Sequence, residues 1–275
     1  MKNTMFAMRY YNTYYFANII TNLLENRFAY IRTINDLFED YLVLDFIGDF
    51  PKFTALHRFA EFVFHLECSD ELTSENIAAV LATVDKKLTV NHAFDEYAID
   101  HTSLTEWLSD KKTLSSVDAD DLYEYYHELR LEQAYADLID RLTNEVFFVM
   151  FLNRRILHSL NDLIAMYVGN LPLTDVPSSD RHLFTRDGVV KRRNIPTWVR
   201  RAVFYRDRGI CGTCSREISG LVNISNSKHF DHIVPLAQGG INDVTNIQLL
   251  CDKCNLAKGG RESGTSTLYE RWFPA

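Results

Sequence analysis

Two Cys-x-x-Cys pairs stand near the C-terminus, Cys211 with Cys214 and Cys251 with Cys254. Four thiols in two such pairs fit a closed tetrahedral zinc site, which ties two loops remote in sequence to one point. Whatever folds between them must therefore begin and end at the same place. Inside the bracket lie Asp231-His232 and Asn246, and Asn255 directly follows the second pair. The cysteines hold a fold; the polar residues between them are set for chemistry.

Zinc rather than disulfides requires reduced thiols. No apolar run reaches the roughly 18 residues of a membrane span. The N-terminus has little basic lead, its apolar stretch is broken by Asn12, Thr13 and Asn18, and no small-residue cleavage site follows. These features read as a soluble cytoplasmic protein with no membrane partner, a setting that keeps thiols reduced. The fifth cysteine, Cys68, sits alone in an apolar helical pattern and reads as a small buried hydrophobe.

The net charge of −8 hides a division. Residues 1–180 hold 14 basic and 29 acidic side chains, and residues 181–275 hold 15 and 8, so −15 is joined to +7. Only the C-terminal part is suited to approach phosphates. The expected fold class is an α-rich two-domain chain. An acidic all-helical domain, 1–180, directs or shields the second domain, or docks a protein partner or a second copy; the second domain spans 181–275.

Helical periodicity runs through the first part. Phe16, Ile19, Ile20, Leu23 and Leu24 share a face, as do Ile31, Ile34, Phe38, Tyr41 and Leu42. Pro51 suits the first turn of a helix over Phe53 to Leu66, and Ser74 a cap for Ile77 to Leu88. Ser103 and Glu106 have capping-box spacing. One long helical stretch is expected from Asp118 to Val168, stopped by Gly169 and Pro172, with the apolar run Val146 to Leu152 buried on several sides. The acidic cluster at Asp118, Asp120 and Asp121 reads as helix N-terminal charge. Pro172, Pro177 and Ser178-Ser179-Asp180 mark a linker. Lys191-Arg192-Arg193 fits a solvated linker or a phosphate contact equally well.

In the second part a helix is expected from Pro196, then two short strands, the second over His229 to Val234, a turn at Gly239-Gly240, and a helix near Asn255. The runs CGTC (211–214), FDHIVPLAQGG (230–240) and TNIQLLCDKCNLAKGG (245–260) resemble the HNH endonuclease family in its zinc-stabilised, ββα-metal form. The resemblance covers about residues 195–262.

The resemblance implies roles for particular residues. His232 matches the general base that activates water, Asp231 the carboxylate that holds a divalent ion, and Asn255 the last motif position, also a ligand. Asn246 matches the middle asparagine, which orients the histidine and braces its loop. Magnesium or manganese suits such hard oxygen donors. The implied partner is DNA, with Lys258, Arg261, Arg200 and Arg206 available for phosphates. In an ideal strand Asp231 and His232 point to opposite faces, so both reach one phosphate only if the chain bends nearby.

Two functions fit these residues. One is a metal-dependent DNA endonuclease of the restriction or antiphage kind. The other is a zinc-dependent module that binds nucleic acid or protein without cutting it.

Overall fold

The computed structural model describes residues 13–40, 43–73, 87–109, 117–220, 228–260 and 262–266. The described chain is helix-rich with few and short strands. Its contacts divide it into two compact units, one of residues 1–20 and 59–149, the other of residues 21–58 and 150–275.

The first unit is helical. It takes the start of α1 (Thr13–Glu25), most of α3 (Ala55–Asp70), α4 (Thr89–Glu96), α5 (Leu104–Ser109), α6 (Ala119–Leu129) and nearly all of α7 (Gln133–Met150). Phe16, Phe59, Phe64, Phe94 and Tyr125 form its interior. Cys68 is buried there, and burial pushes its thiol well up, as a packing residue requires.

Helix starts follow the polar signals. Ser103 Oγ accepts the Glu106 N–H at 3.2 Å while Glu106 accepts the Ser103 N–H at 2.9 Å, completing the expected capping box. Asp118 accepts the Asp121 N–H at 3.1 Å, with Asp120 and Asp121 in the first turn of α6. The Ser74 cap, Tyr41 and Leu42 lie outside the described residues.

Four expectations fail. The single stretch from Asp118 to Val168 is three helices, α6, α7 and α8 (Arg154–Val168), broken by turns at 130–132 and 151–153. Asn153 caps the last of these by accepting the Ile156 N–H at 3.3 Å. The run Val146 to Leu152 is therefore split: Val146 and Met150 are buried, whereas Phe148 is 71% and Leu152 63% exposed. Helix α3 starts at Ala55, beyond Pro51, because Thr54 and His57 exchange hydrogen bonds of 3.1 and 3.4 Å at its entrance. In α2 (Ile31–Asp40), Ile34, Leu37 and Phe38 are buried while Ile31 is exposed.

The second unit holds the four-cysteine module together with α2, α8 and the segment before α3. Helix α8 is tied by Arg27–Asp162 at 2.9 Å and Arg155–Glu25 at 3.0 Å, and Tyr167 stacks on Phe38. Residues 170–195 are folded rather than a bare linker. Leu171 accepts the Gly188 N–H at 2.9 Å, and β1 (Phe184–Arg186) pairs antiparallel with β2 (Val189–Val190), burying Phe184 and Val190.

Beyond them, α9 (Thr197–Arg206) starts where Pro196 predicts and buries Val199 and Val203. Strand β3 (Phe230–His232) pairs antiparallel with β4 (Ile247–Leu249), matching His232 with Ile247 and Asp231 with Gln248. The partner of β3 is therefore the stretch leading into the second cysteine pair. Helix α10 (Asp252–Lys258) closes the ββα unit, starting three residues before Asn255.

Candidate nuclease site

The four cysteine sulfurs lie within 4.8 Å of one another, with Cys214 and Cys251 at 3.8 Å. A tetrahedron with Zn–S distances of about 2.3 Å has sulfur–sulfur edges of about 3.8 Å. The donor set and its spacing are compatible with zinc. Burial pushes the Cys211 thiol up, but backbone N–H groups of Cys214, Cys251 and Thr213 donate to its sulfur and bring it down to about 7. A sulfur so solvated is ready to be a thiolate ligand. Local folding explains the cluster: Gly212 donates to the Leu249 carbonyl at 2.7 Å, and Cys251 stands just before α10 so that Cys254 comes round in its first turn.

The cluster anchors the end of β4, and β4 carries β3. On β3 the two polar residues face oppositely, as strand alternation requires. Asp231 is half-buried and its Oδ2 accepts from Lys258 Nζ at 2.8 Å. The same ammonium donates to the His232 carbonyl at 2.7 Å, tying α10 across the strand. His232 is 1% exposed, and its Nε2 lies 3.3 Å from Asn242 Oδ1. After Pro235 the chain turns through Gly239, whose φ of 85° favours glycine.

Asn246 is fully buried inside that turn. Its Oδ1 accepts the Val234 N–H at 2.8 Å, and its Nδ2 donates to the Val234 and Ile241 carbonyls at 3.0 and 2.9 Å. Its own carbonyl accepts the Ile233 N–H at 2.6 Å. These bonds tie Asn246 to the backbone of the loop, and the residue facing the His232 ring is Asn242.

Residues 211–261 match the family model of the HNH endonucleases. No curated protein and no solved structure matches the chain.

The remaining residues expected at the site divide. Asn255 is half-buried on α10 and donates through Nδ2 to the Lys228 carbonyl at 3.1 Å. Lys258, expected at a phosphate, is engaged with Asp231. Arg200 is half-buried on α9 and donates to Thr197 Oγ1 at 3.0 Å. Arg206 is a correction to the phosphate contacts: its side chain is 1% exposed. It binds both Asp207 oxygens at 2.8 and 3.0 Å and the Ile247 carbonyl at 2.6 Å, so it holds α9 to β4. Arg261 lies outside the described residues. In the basic run, Arg193 pairs with Asp49 at 2.8 Å, whereas Lys191 and Arg192 are exposed.

Burial, aided by the charges of Arg192 and Lys258, pushes the His232 imidazole down to about 4, against the opposing pull of Asp231 and the Asn242 hydrogen bond. The ring is neutral at pH 7, so one of its nitrogens keeps a lone pair, while the same burial makes it a weaker base than a free imidazole.

Asn242 escaped the sequence reading. No spacing rule marks it, because its approach to the ring is made by the turn at Gly239-Gly240. The one available signal is a polar pair, Asn242-Asp243, set among the apolar Ile241 and Val244.

Proposed function

We propose that this chain is a metal-dependent DNA endonuclease that hydrolyses phosphodiester bonds, with His232 as general base. The observation that supports the reading is a neutral His232 following Asp231 on the strand held by the four-cysteine cluster, within the stretch that matches the HNH endonucleases. The zinc is structural, since four thiol donors leave no open position for substrate.

Asp231 and Asn255 offer a carboxylate and an amide oxygen, a donor pair suited to magnesium or manganese. They would hold one such ion, which when bound stabilises charge developing on the phosphate. The chain's own residues do the rest. His232 accepts the proton of the attacking water, Asn246 keeps the loop that carries the ring, and Lys258 sets the carboxylate of Asp231. Arg200 and the exposed Lys191 and Arg192 supply positive charge for the DNA backbone. A restriction or antiphage setting is part of this proposal and is supported by the resemblance; a cytoplasmic setting is supported by the reduced thiols that zinc requires.

One observation favours the non-cutting module. The Asp231–Lys258 pair neutralises the carboxylate the ion would use. A plasmid nicking assay with and without magnesium or manganese separates the two. The endonuclease reading expects nicking that appears with added ion and disappears with chelator. DNA binding without nicking under every ion would leave the binding module.

A further inference from the structure

Asn242 is 1% exposed and can sit only one way round. Its Nδ2 donates to the Lys191 carbonyl at 2.9 Å. A carbonyl offers only lone pairs, so a flipped amide would set two oxygens against each other. Oδ1 is therefore the atom facing His232, 3.3 Å from Nε2. An amide oxygen only accepts, so Nε2 must carry the ring proton. In a neutral imidazole this leaves the lone pair on Nδ1, which is buried and has no hydrogen-bond partner among the described residues.

We infer that Asn242 is a positioning residue that fixes His232 as its Nε2–H tautomer and so leaves Nδ1 as the ring atom whose lone pair takes the proton. This rests on the endonuclease reading and assigns the atom within it. Water gives its proton to Nδ1, and its oxygen attacks phosphorus. The bond to the 3′ oxygen breaks with its electron pair staying on that oxygen. The ring then carries a proton on each nitrogen, and the Nε2–H bond to Asn242 persists throughout.

What holds Asn242 comes from outside the stretch matched to the family. Its carbonyl accepts the Phe50 N–H at 3.0 Å, and Lys191 takes its amide. The adjacent Asp243 is fully buried and accepts the Ala55 N–H at 3.0 Å, as well as both Thr245 donors. Residues 50–55 and 191 thus grip Asn242, which faces the ring, and its neighbour Asp243. The orientation of His232 is set by the surrounding unit as well as by the HNH motif.

The test uses the full chain with zinc bound. In protein labelled with ¹⁵N-histidine, with the His232 signals assigned by their loss in His232→Gln, the wild type should show a pyrrole-type Nε2 and a pyridine-type Nδ1 at pH 7.5. A protonated Nδ1, or rapidly averaging tautomers, would overturn the assignment whether or not the protein cuts DNA.

The kinetic arm compares two variants. Asn242→Ala should lower kcat about 100-fold, the scale of a misplaced general base, with KM within about threefold. Asn242→Asp keeps an acceptor for Nε2–H but loses the donor to Lys191, so it should stay within about tenfold of wild type. If Asn242→Asp falls as far as Asn242→Ala at equal zinc content, the residue serves the Lys191 tie and the proposal fails. A wild type with the stated tautomer but no cleavage would refute the endonuclease reading and leave the ring assignment standing.

Discussion

Burying an imidazole disfavours its charged form, and at His232 that single fact governs both chemistry and stability. The folded ring is held down to about 4, while an unfolded histidine titrates near about 6.5. Between those values the unfolded chain binds the proton and the folded chain does not. Stability from this residue is thus complete above about pH 6.5 and declines as pH falls toward 4. From pH 7 to 5 the wild type should lose roughly 2 kcal/mol more than His232→Gln, read by urea unfolding at the two pH values. Equal losses would mean that the ring is accessible to protons in the folded state. Arg206 makes the opposite point about reading residues from sequence. Its type and place in a basic module suggested phosphate, and burial against Asp207 and Ile247 decides otherwise. Arg206→Ala should cost about 3–5 kcal/mol by stranding the Asp207 charge, with DNA affinity of the folded fraction unchanged. Motif order marks Asp231, His232, Asn246 and Asn255 in the sequence, and the structure sets the first two on β3 and the last on α10. Asn242 was not, because only the folded turn brings it to the ring.

At the scale of elements, the module is a short ββα unit whose ends are clamped by thiols. Fresh protein should carry one zinc per chain, and Cys251→Ser should lose it and unfold the module, since a structural zinc contributes on the order of 10 kcal/mol. Metal analysis with near-UV circular dichroism checks both; a folded, zinc-free variant would contradict the clamp. The turn after β3 is equally constrained. A Cβ at Gly239 would lie 2.5 Å from the Ala165 carbonyl oxygen and 2.8 Å from the Gly169 nitrogen, at a φ of 85°. Gly239→Ala should therefore cost at least about 2 kcal/mol by thermal unfolding. The Gly-Gly pair was visible in sequence as a turn, but its role as the seat of the α8 C-terminus was not, since nothing local relates positions 165–169 to 239. The α8 end was legible through Gly169. Its beginning was missed because Asn153 interrupts an apolar run with no glycine or proline to announce the break.

For the whole molecule, the division of charge suggested an acidic helical part that shields or directs a basic nuclease. The packing adds a second consideration. Helix α8 meets the Gly239 turn, and Ala55 donates to Asp243, so parts of residues 1–180 are built into the unit that carries the site. A fragment of residues 185–275 should unfold at lower temperature than the full chain's second unit and release zinc to chelator faster. A fragment of undiminished stability that cuts faster, with the advantage narrowing as salt rises, would favour shielding instead. The most direct test of the account is single-turnover cleavage of supercoiled plasmid in magnesium by wild type and His232→Ala, at equal zinc content and saturating protein. A buried neutral base predicts cleavage about 10²–10⁴-fold slower in the variant, with DNA binding unchanged. Equal cleavage rates would contradict it.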